Sequence, residues 1–259
     1  MSDFSSLPPA SAALAQHALH AFEQVVGSTS GFRIRPGQHQ MAETVAATLA
    51  QADIGEHPNP TKAIAVIQAG TGVGKSAAYA STAIAMALER KTRVIISTAT
   101  VALQEQLMTK DLPALARSMD QPFAYALAKG RGRYVCKVKL ERLVGSGAAE
   151  DDMFDDDLPQ PKVSALSQEA IEERRQSLYE SMAHKLAVVS WDGDRDTLPD
   201  TPDPRDWSAV AAERHTCTAR HCPRYKECSY YNARTKLAEA NVIVANHDLV
   251  LASLGMKTL

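Results

Sequence analysis

The chain has no Lys or Arg before Arg33, and so no basic stretch of the kind that opens a secretory signal. It has no apolar run near the roughly 18 residues that a membrane span requires, which excludes a transmembrane helix. Nor is there an excess of either charge, since 28 Lys and Arg stand against 30 Asp and Glu for a net charge of −2. Bulk electrostatics therefore points to no polyanionic or membrane partner, and any case for nucleic acid rests on where individual charges lie. Cysteine is scarce, with four in 259 residues and no export signal beside them. Disulfides are accordingly not expected, and a cytoplasmic location is. What remains is an ordinary globular balance, 45% hydrophobic and 22% charged, which excludes fibrous and disordered classes.

Periodicity then divides the chain. Residues 10–26 read as an amphipathic helix with Leu14, Ala18, Phe22 and Val25 on one face, and a turn-rich break follows at Gly27–Gly31. A second helix is expected up to Gln51, with Pro36 in its first turn, and a loop at 56–60. Ala63–Ile67 is a short continuous apolar run, the pattern of a buried parallel strand, and it leads through a Gly-rich turn to a helix over 77–90. A second such strand at 93–97 and a helix at 101–108 repeat the unit. This rhythm predicts an α/β fold, a parallel sheet with helices on both faces. From Lys129 the rhythm stops for about a hundred residues. That stretch holds an acidic run at 150–157, a helix on which Ile171, Leu178, Met182, Leu186 and Val189 recur, and a Pro/Asp-rich linker at 192–206. A last strand is expected at 241–245, so the middle reads as an insertion within one α/β domain.

The strongest motif is AGTGVGKS, Ala69 to Ser76, a match to G-x-x-x-x-G-K-[ST] with Ala69 at the first glycine. It follows a predicted strand and opens a predicted helix, the context in which the backbone N–H groups of Gly70, Thr71, Gly72, Val73 and Gly74 can cradle phosphate oxygens. Lys75 is expected to neutralise the β- and γ-phosphates and Ser76 to hold Mg²⁺. Upstream, Arg35-Pro-Gly-Gln38 places a Gln whose amide can read an adenine edge, the plain alternative being a surface glutamine. Downstream, Ser97 to Thr100 closes the second strand, with Leu103 and Gln106 at helical spacing. Its small hydroxyls can hydrogen-bond a phosphate backbone or simply cap the strand end.

Cys136 is followed, after a long gap, by Cys217, Cys222 and Cys228, which are separated by four and five residues. Around Cys136 stand Lys129, Arg131, Arg133, Lys137, Lys139 and Arg142 with Tyr134, and around the triplet stand Arg214, Arg220, Arg224, Lys226 and Arg234 with Tyr225, Tyr230 and Tyr231. Bases can neutralise phosphates and rings can stack on unpaired bases, so both segments are candidates for single-stranded DNA. Four thiolates with none to spare suggest one Cys₄ site, for an iron–sulfur cluster or for Zn²⁺. One cysteine far from a triplet suits paired zinc spacing poorly and inclines the reading to a cluster. His215, His221 and His247 read as solvated or phosphate-binding groups rather than ligands.

Taken together, AGTGVGKS, the preceding RPGQ, the following STATVALQEQL, KGRGRYVCK, the triplet within CTARHCPRYKECSYY and the closing VIVANHDLVLASL resemble the DinG/XPD group of superfamily 2 DNA helicases, the bacterial DinG type above all. The resemblance runs from about residue 32 to the end. It implies an ATP-dependent 5′-to-3′ DNA helicase with a role in DNA repair, a RecA-like motor domain interrupted by a [4Fe–4S] domain, and ATP and Mg²⁺ as cofactors. On this basis 1–31 is an N-terminal helix and linker, 32–128 the first part of the motor domain, 129–235 the inserted cluster domain, and 236–259 the return to the motor. Arg35, Gln38 and Ala69–Ser76 correspond to ATP-binding motifs, with Lys75 and Ser76 catalytic. Thr98, Thr100 and Gln106 correspond to a DNA-backbone motif, joined as DNA contacts by Arg131, Arg133, Tyr134 and Arg224. Cys136, Cys217, Cys222 and Cys228 correspond to the cluster ligands. The implied partners are single-stranded and forked or structured DNA, with the intact protein a monomer and no membrane involved. The family's DEAH box and second motor domain do not occur before Leu259, so the chain alone is expected to lack turnover. The alternatives are a non-catalytic module binding nucleotide and single-stranded DNA, and an unrelated P-loop NTPase with structural zinc.

Overall fold

A computed structural model describes residues 4–28, 35–53, 61–70, 72–145 and 165–256. The acidic run at 150–157, the loop at 56–60, Thr71 and most of the break at 27–31 lie outside the described residues. The chain divides into two compact units, Met1–Ala128 with Lys236–Leu259, and Lys129–Thr235. Among the described residues no helix is long and apolar enough to cross a membrane.

The first unit is α/β. Helices α1 (Pro9–Ser28), α2 (Pro36–Ala50) and α3 (Lys75–Glu89) precede β1 (Val94–Thr98). Next come α4 (Val101–Gln106), a π-helical turn at Leu107–Asp111, α5 (Leu112–Ser118) and β2 (Tyr125–Leu127). The remaining elements are α6 (Lys137–Gly145), α7 (Ala165–Ala187), α8 (Pro204–Val210), α9 (Ser229–Glu239), β3 (Val242–Asn246) and α10 (His247–Met256). The sheet is parallel in the order β1-β3-β2, with Ser97 opposite Ala245 and Thr98 opposite Asn246. Val242 to Ala245 are all buried, as a central parallel strand covered on both faces must be. Asn241 secures the start of β3, its backbone N–H donating to the Ala124 carbonyl at 2.8 Å while its Oδ1 accepts from the Ala124 N–H at 2.9 Å.

Alanines set the helix packing. Ala15, Ala18 and Phe22 of α1 meet Met41, Ala42 and Ala46 of α2 and Ala78 and Ala85 of α3, so backbones approach closely around a few large side chains. Pro36 pre-forms the first turn of α2. At the other end Arg90 donates to the carbonyls of Leu49, Ala50 and Ala52 at 2.9, 2.9 and 3.1 Å, satisfying acceptors that a helix terminus leaves bare.

One expected strand does not form. Ala63–Ile67 pairs with no other strand among the described residues, and Ile64 and Val66 are 83% and 95% exposed. The alternation of a strand survives, because Ala63, Ala65 and Ile67 line a cavity against α2 while Ile64 and Val66 face solvent. An apolar run becomes a strand only where a neighbour takes up its N–H and C=O groups. Here water does so.

The second unit is built around Val135, Leu140, Tyr179, Met182, Trp191, Trp207 and Val210. The helix expected from Ile171 to Val189 is α7, but its ends differ from the pattern. Ile171 is exposed, and Val189 lies past the helix in the left-handed region at φ 56°. Burial is instead concentrated at Tyr179 and Met182. The expected linker at 192–206 is an ordered wall of this core, not a spacer. Its aspartates fold it locally, Asp192 Oδ1 accepting from the Asp194 N–H and Asp194 Oδ1 from the Asp196 N–H, both at 3.0 Å. Both indoles bond to backbone, Trp191 Nε1 to the Asp194 carbonyl at 2.8 Å and Trp207 Nε1 to the Gly132 carbonyl at 2.7 Å. Gly193, at φ 85°, has no room for a Cβ, which would collide with the Ser229 side chain.

Asp206 is, with Asp194, a buried charge of this unit. Its side chain is 3% exposed and accepts from Arg174 at 2.9 Å and Arg175 at 3.0 Å, whereas Arg174 is 65% exposed. Asp206→Ala should therefore cost about 1–3 kcal/mol, the range for losing a buried hydrogen-bonding partner, and Arg174→Ala about 1 kcal/mol or less, as for an exposed ion-pair partner. Urea unfolding followed by tryptophan fluorescence measures this selectively, because Trp191 and Trp207 are the only two tryptophans and both lie in this unit. Equal losses for the two variants would contradict the burial argument.

Candidate functional site

The Gly-rich loop of the first unit runs into α3 through two left-handed glycines, Gly72 at φ 77° and Gly74 at φ 86°. Gly74 is the N-cap of α3 and Lys75 its first residue. The Lys75 ammonium donates to the carbonyls of Ala69 at 3.1 Å and Gly70 at 2.7 Å, which places it across the mouth of the loop. The N-terminal end of α2 grips the same loop. Arg35 donates to the Gly72 carbonyl, and the buried Gln38 donates through Nε2 to the Gly74 carbonyl at 3.0 Å. Gln38 is thus a buried residue against the loop and not a surface glutamine, and its Oε1 has no partner among the described residues. A Cβ on Gly74 would collide with Gln38 Nε2, so this glycine is required both by its dihedral and by the close approach.

Sequence reasoning missed Tyr79. It stands one turn beyond Ser76 on α3, and burial raises its pKa while the nearby Ser76 side chain lowers it. It lines a 380 Å³ cavity together with Lys75, Met41, Val45, Leu49 and Ile67. The only signal for it in the sequence was the spacing of three from Ser76 on a predicted helix. At the carboxyl ends of the strands, Thr98 is buried, its Oγ1 donating to the Thr100 carbonyl at 3.3 Å, and Thr100 Oγ1 accepts from the Leu103 N–H to cap α4. Gln106 is exposed and donates to Asp111 at 3.2 Å. Ser97 Oγ meets His247 Nδ1 at 2.6 Å.

In the second unit all four cysteines are free and half-buried. Cys136 precedes α6, its N–H donating to the Val210 carbonyl at 2.7 Å. Cys217 and Cys222 flank a single 3-10 turn at Ala219–His221, another such turn at Tyr225–Glu227 leads to Cys228, and α9 follows. Burial pushes the Cys228 thiol up. The backbone N–H groups of Tyr230 and Tyr231 pull it down, and Cys217 and Cys136, close enough to act on its charge, push it up again. Among the described residues no three His, Cys, Asp or Glu converge as ligands of a single metal ion.

Ion pairs fasten the segment around Cys136 to the segment around the triplet. Lys137 pairs with Glu227, and Arg224 with Glu141 at 3.0 Å. Lys139 pairs with Glu213 at 2.8 Å. Arg133 pairs with Asp196, and Lys129 with Asp194 and Asp196. Burial lowers the Lys129 pKa, but the two carboxylates more than offset it. Asp196, in spite of burial, is held below its ordinary value by Lys129 and Arg133. Tyr134 is buried, its ring 5.9 Å from that of Tyr230, and Tyr230 and Tyr231 lie 5.2 Å apart.

Two outcomes are expected. Gly74→Ala should weaken binding of a fluorescent ATP analogue at least tenfold, whereas Gly70→Ala, with nothing within 4 Å of its added Cβ, should leave the loop intact; equilibrium titration compares them. Because the folded pKa of Asp196 is depressed, its stabilising contribution is present above its unfolded value of roughly 3.9 and is lost as pH falls through the lower folded value. Tryptophan-monitored acid titration should therefore show this unit loosening below about pH 4, and Asp196→Asn should remove that part of the pH dependence.

No family model matches the chain. The chain is similar, however, to curated proteins named ATP-dependent DNA helicase DinG. It is 36% identical to that of Photobacterium profundum over 235 residues, which are 91% of this chain and 31% of that protein. It is 36% identical to that of Salmonella typhimurium over 222 residues, 85% of this chain and 29% of the relative. With that of Escherichia coli (strain K12) the identity is 35%, over 85% of this chain and 28% of the relative. The chain thus spans about three-tenths of the length of the curated relatives it matches. Over 91% of its length the chain is thus similar to a protein named ATP-dependent DNA helicase DinG, and the matched part corresponds to 31% of that protein.

Proposed function

We propose that the chain is the ATP-binding and iron–sulfur portion of an ATP-dependent 5′-to-3′ DNA helicase that acts on single-stranded and forked DNA as a monomer in the cytoplasm. The observation that carries this reading is the similarity, over 91% of the chain, to a protein named ATP-dependent DNA helicase DinG. The loop geometry supports it. Lys75 already occupies the mouth of the loop, where phosphate oxygens of ATP would replace the carbonyls of Ala69 and Gly70 as its partners. Ser76 is the ligand for Mg²⁺. Arg35 and Gln38 border this site from α2, and the unpaired Gln38 Oε1 is an acceptor for an adenine amino group.

In the second unit Cys136, Cys217, Cys222 and Cys228 are the ligands of a [4Fe–4S] cluster. The donor set fits that group: four free, half-buried thiols, with Cys217 and Cys136 near enough to Cys228 to act on its charge. A cubane spreads its thiolates over four irons and so asks for wider spacing than one ion does. When bound, it supplies a rigid covalent tie between the segments on either side of α7 and α8. Each unit carries DNA contacts of its own. Thr98, Thr100 and Gln106 stand at the strand ends of the first. In the second, Arg133 and Arg224 present exposed guanidiniums, with Arg131 and the buried Tyr134 supporting them.

Lys75→Ala should reduce ATP affinity at least tenfold and leave single-stranded DNA affinity unchanged. Arg133→Glu and Arg224→Glu should do the reverse and flatten the dependence of DNA binding on salt, since each neutralised phosphate releases counterion. Nucleotide titration and DNA anisotropy on the same preparations test both. ATP affinity indifferent to Lys75, or DNA binding without salt dependence, would overturn the reading.

A further inference from the structure

At the carboxyl edge of the sheet the hydroxyls that follow β1 differ in what they are free to do. Thr98 is buried and donates to the Thr100 carbonyl at 3.3 Å, and Thr100 Oγ1 is taken up as an acceptor in the cap of α4. Ser97 is exposed, and its Oγ lies 2.6 Å from Nδ1 of His247, which is also exposed. The pair is fixed from both sides. Ser97 stands opposite Ala245 in the parallel register, and His247 opens α10 two residues beyond Ala245. Asn246 holds that first turn, its Oδ1 accepting from the Leu249 N–H at 2.9 Å. α10 packs on β1 and β3, as does α4. The strands carry no ionisable side chain, so the other ionisable groups gathered here are Asp248 on α10 and Glu105 on α4. Both are negative when ionised, and neither opposes a positive charge on the imidazole.

We infer that Ser97 and His247 together contact one phosphodiester group of single-stranded DNA, and that the contact strengthens when the imidazole takes up a proton from solvent. This rests on the DNA-binding reading given above and deepens it. The argument is a count of hydrogens. A neutral imidazole has one N–H and one lone pair. If Nδ1 carries the lone pair, it takes the Ser97 hydroxyl hydrogen, and only the Nε2–H remains to donate elsewhere. If Nδ1 carries the hydrogen, it donates to Ser97 Oγ and frees the hydroxyl, but Nε2 is then an acceptor. Either neutral form therefore leaves one donor for a phosphate. The imidazolium leaves two, the Ser97 O–H and the Nε2–H, and adds a positive charge, which suits the two unesterified oxygens of a phosphodiester. Imidazole is the side chain that changes charge between about pH 5 and 8, so the change falls in an accessible range. The carboxyl ends of parallel strands are where open α/β sheets bind ligands.

The test uses the full chain and a fluorescent oligothymidylate, with anisotropy titrations at about pH 6 and about pH 8 at equal ionic strength. Wild-type affinity should rise as pH falls. The gain should exceed that of His247→Asn by about threefold or more, the size of one partly exposed charge contact. At the lower pH the slope of log affinity against log salt should be steeper in wild type than in His247→Asn by about 0.7, one phosphate's worth of counterion on a single strand. His247→Lys, charged at both pH values, should bind as well at the higher pH as at the lower. Ser97→Ala should lose more affinity at the lower pH than at the higher. Binding of a fluorescent ATP analogue should be the same in all four proteins. A wild type that binds no DNA at either pH would overturn the DNA-binding reading and this inference together. An equal pH response in wild type and His247→Asn would overturn this inference alone, as would a matching loss of ATP-analogue binding in the variants.

Discussion

The first unit depends on the pairing of β3 between β1 and β2. The two earlier strands do not touch each other, so until Val242–Asn246 arrives there is no sheet and no common surface at the strand ends. Everything between Ala128 and Lys236 must therefore leave and re-enter at fixed points on that sheet. Such a detour is tolerable because the entropy of closing a loop grows only slowly with its length, and because the second unit has its own core. The buried apolar face of β3 and the two bonds of Asn241 to Ala124 repay the closure.

Within that frame the phosphate loop is held from two directions. Glycines permit its turns, but it is α2, through Arg35 and Gln38, that fixes where its carbonyls point. Lys75 completes the arrangement from inside. Its ammonium rests on the loop's own carbonyls, those of Ala69 and Gly70.

The second unit solves a different problem, the close placement of many charges. Several of its bases pair with carboxylates, and these pairs do what apolar contacts do elsewhere by joining segments far apart in sequence, as Lys137 does with Glu227 and Arg224 with Glu141. Half-exposed pairs of this kind contribute little stability each, so the unit depends on its tryptophan-lined core and on Asp206.

Much of this was legible in the sequence where the signal is local. The glycines of the phosphate loop, Pro36 at the start of α2, the apolar face of α1 and the parallel strands β1 and β3 follow from dihedral preference and periodicity within their own segments. The strand expected at Ala63–Ile67 could not be judged this way, because hydrogen-bond partners lie elsewhere in the chain and periodicity does not reveal whether they exist. The stretch 192–206 read as a spacer because Pro and Asp are turn formers, although turn formers can also fold the wall of a core. Composition likewise showed bases gathered near cysteines but not their direction. What the sequence by itself determined was the kind of group at each position and the local conformation it favours. Only the tertiary structure decided that Gln38 turns inward to Gly74, that Arg133 meets Asp196, and that Arg131 lies on Tyr230, because each of those choices depends on residues brought near by folding and not by sequence.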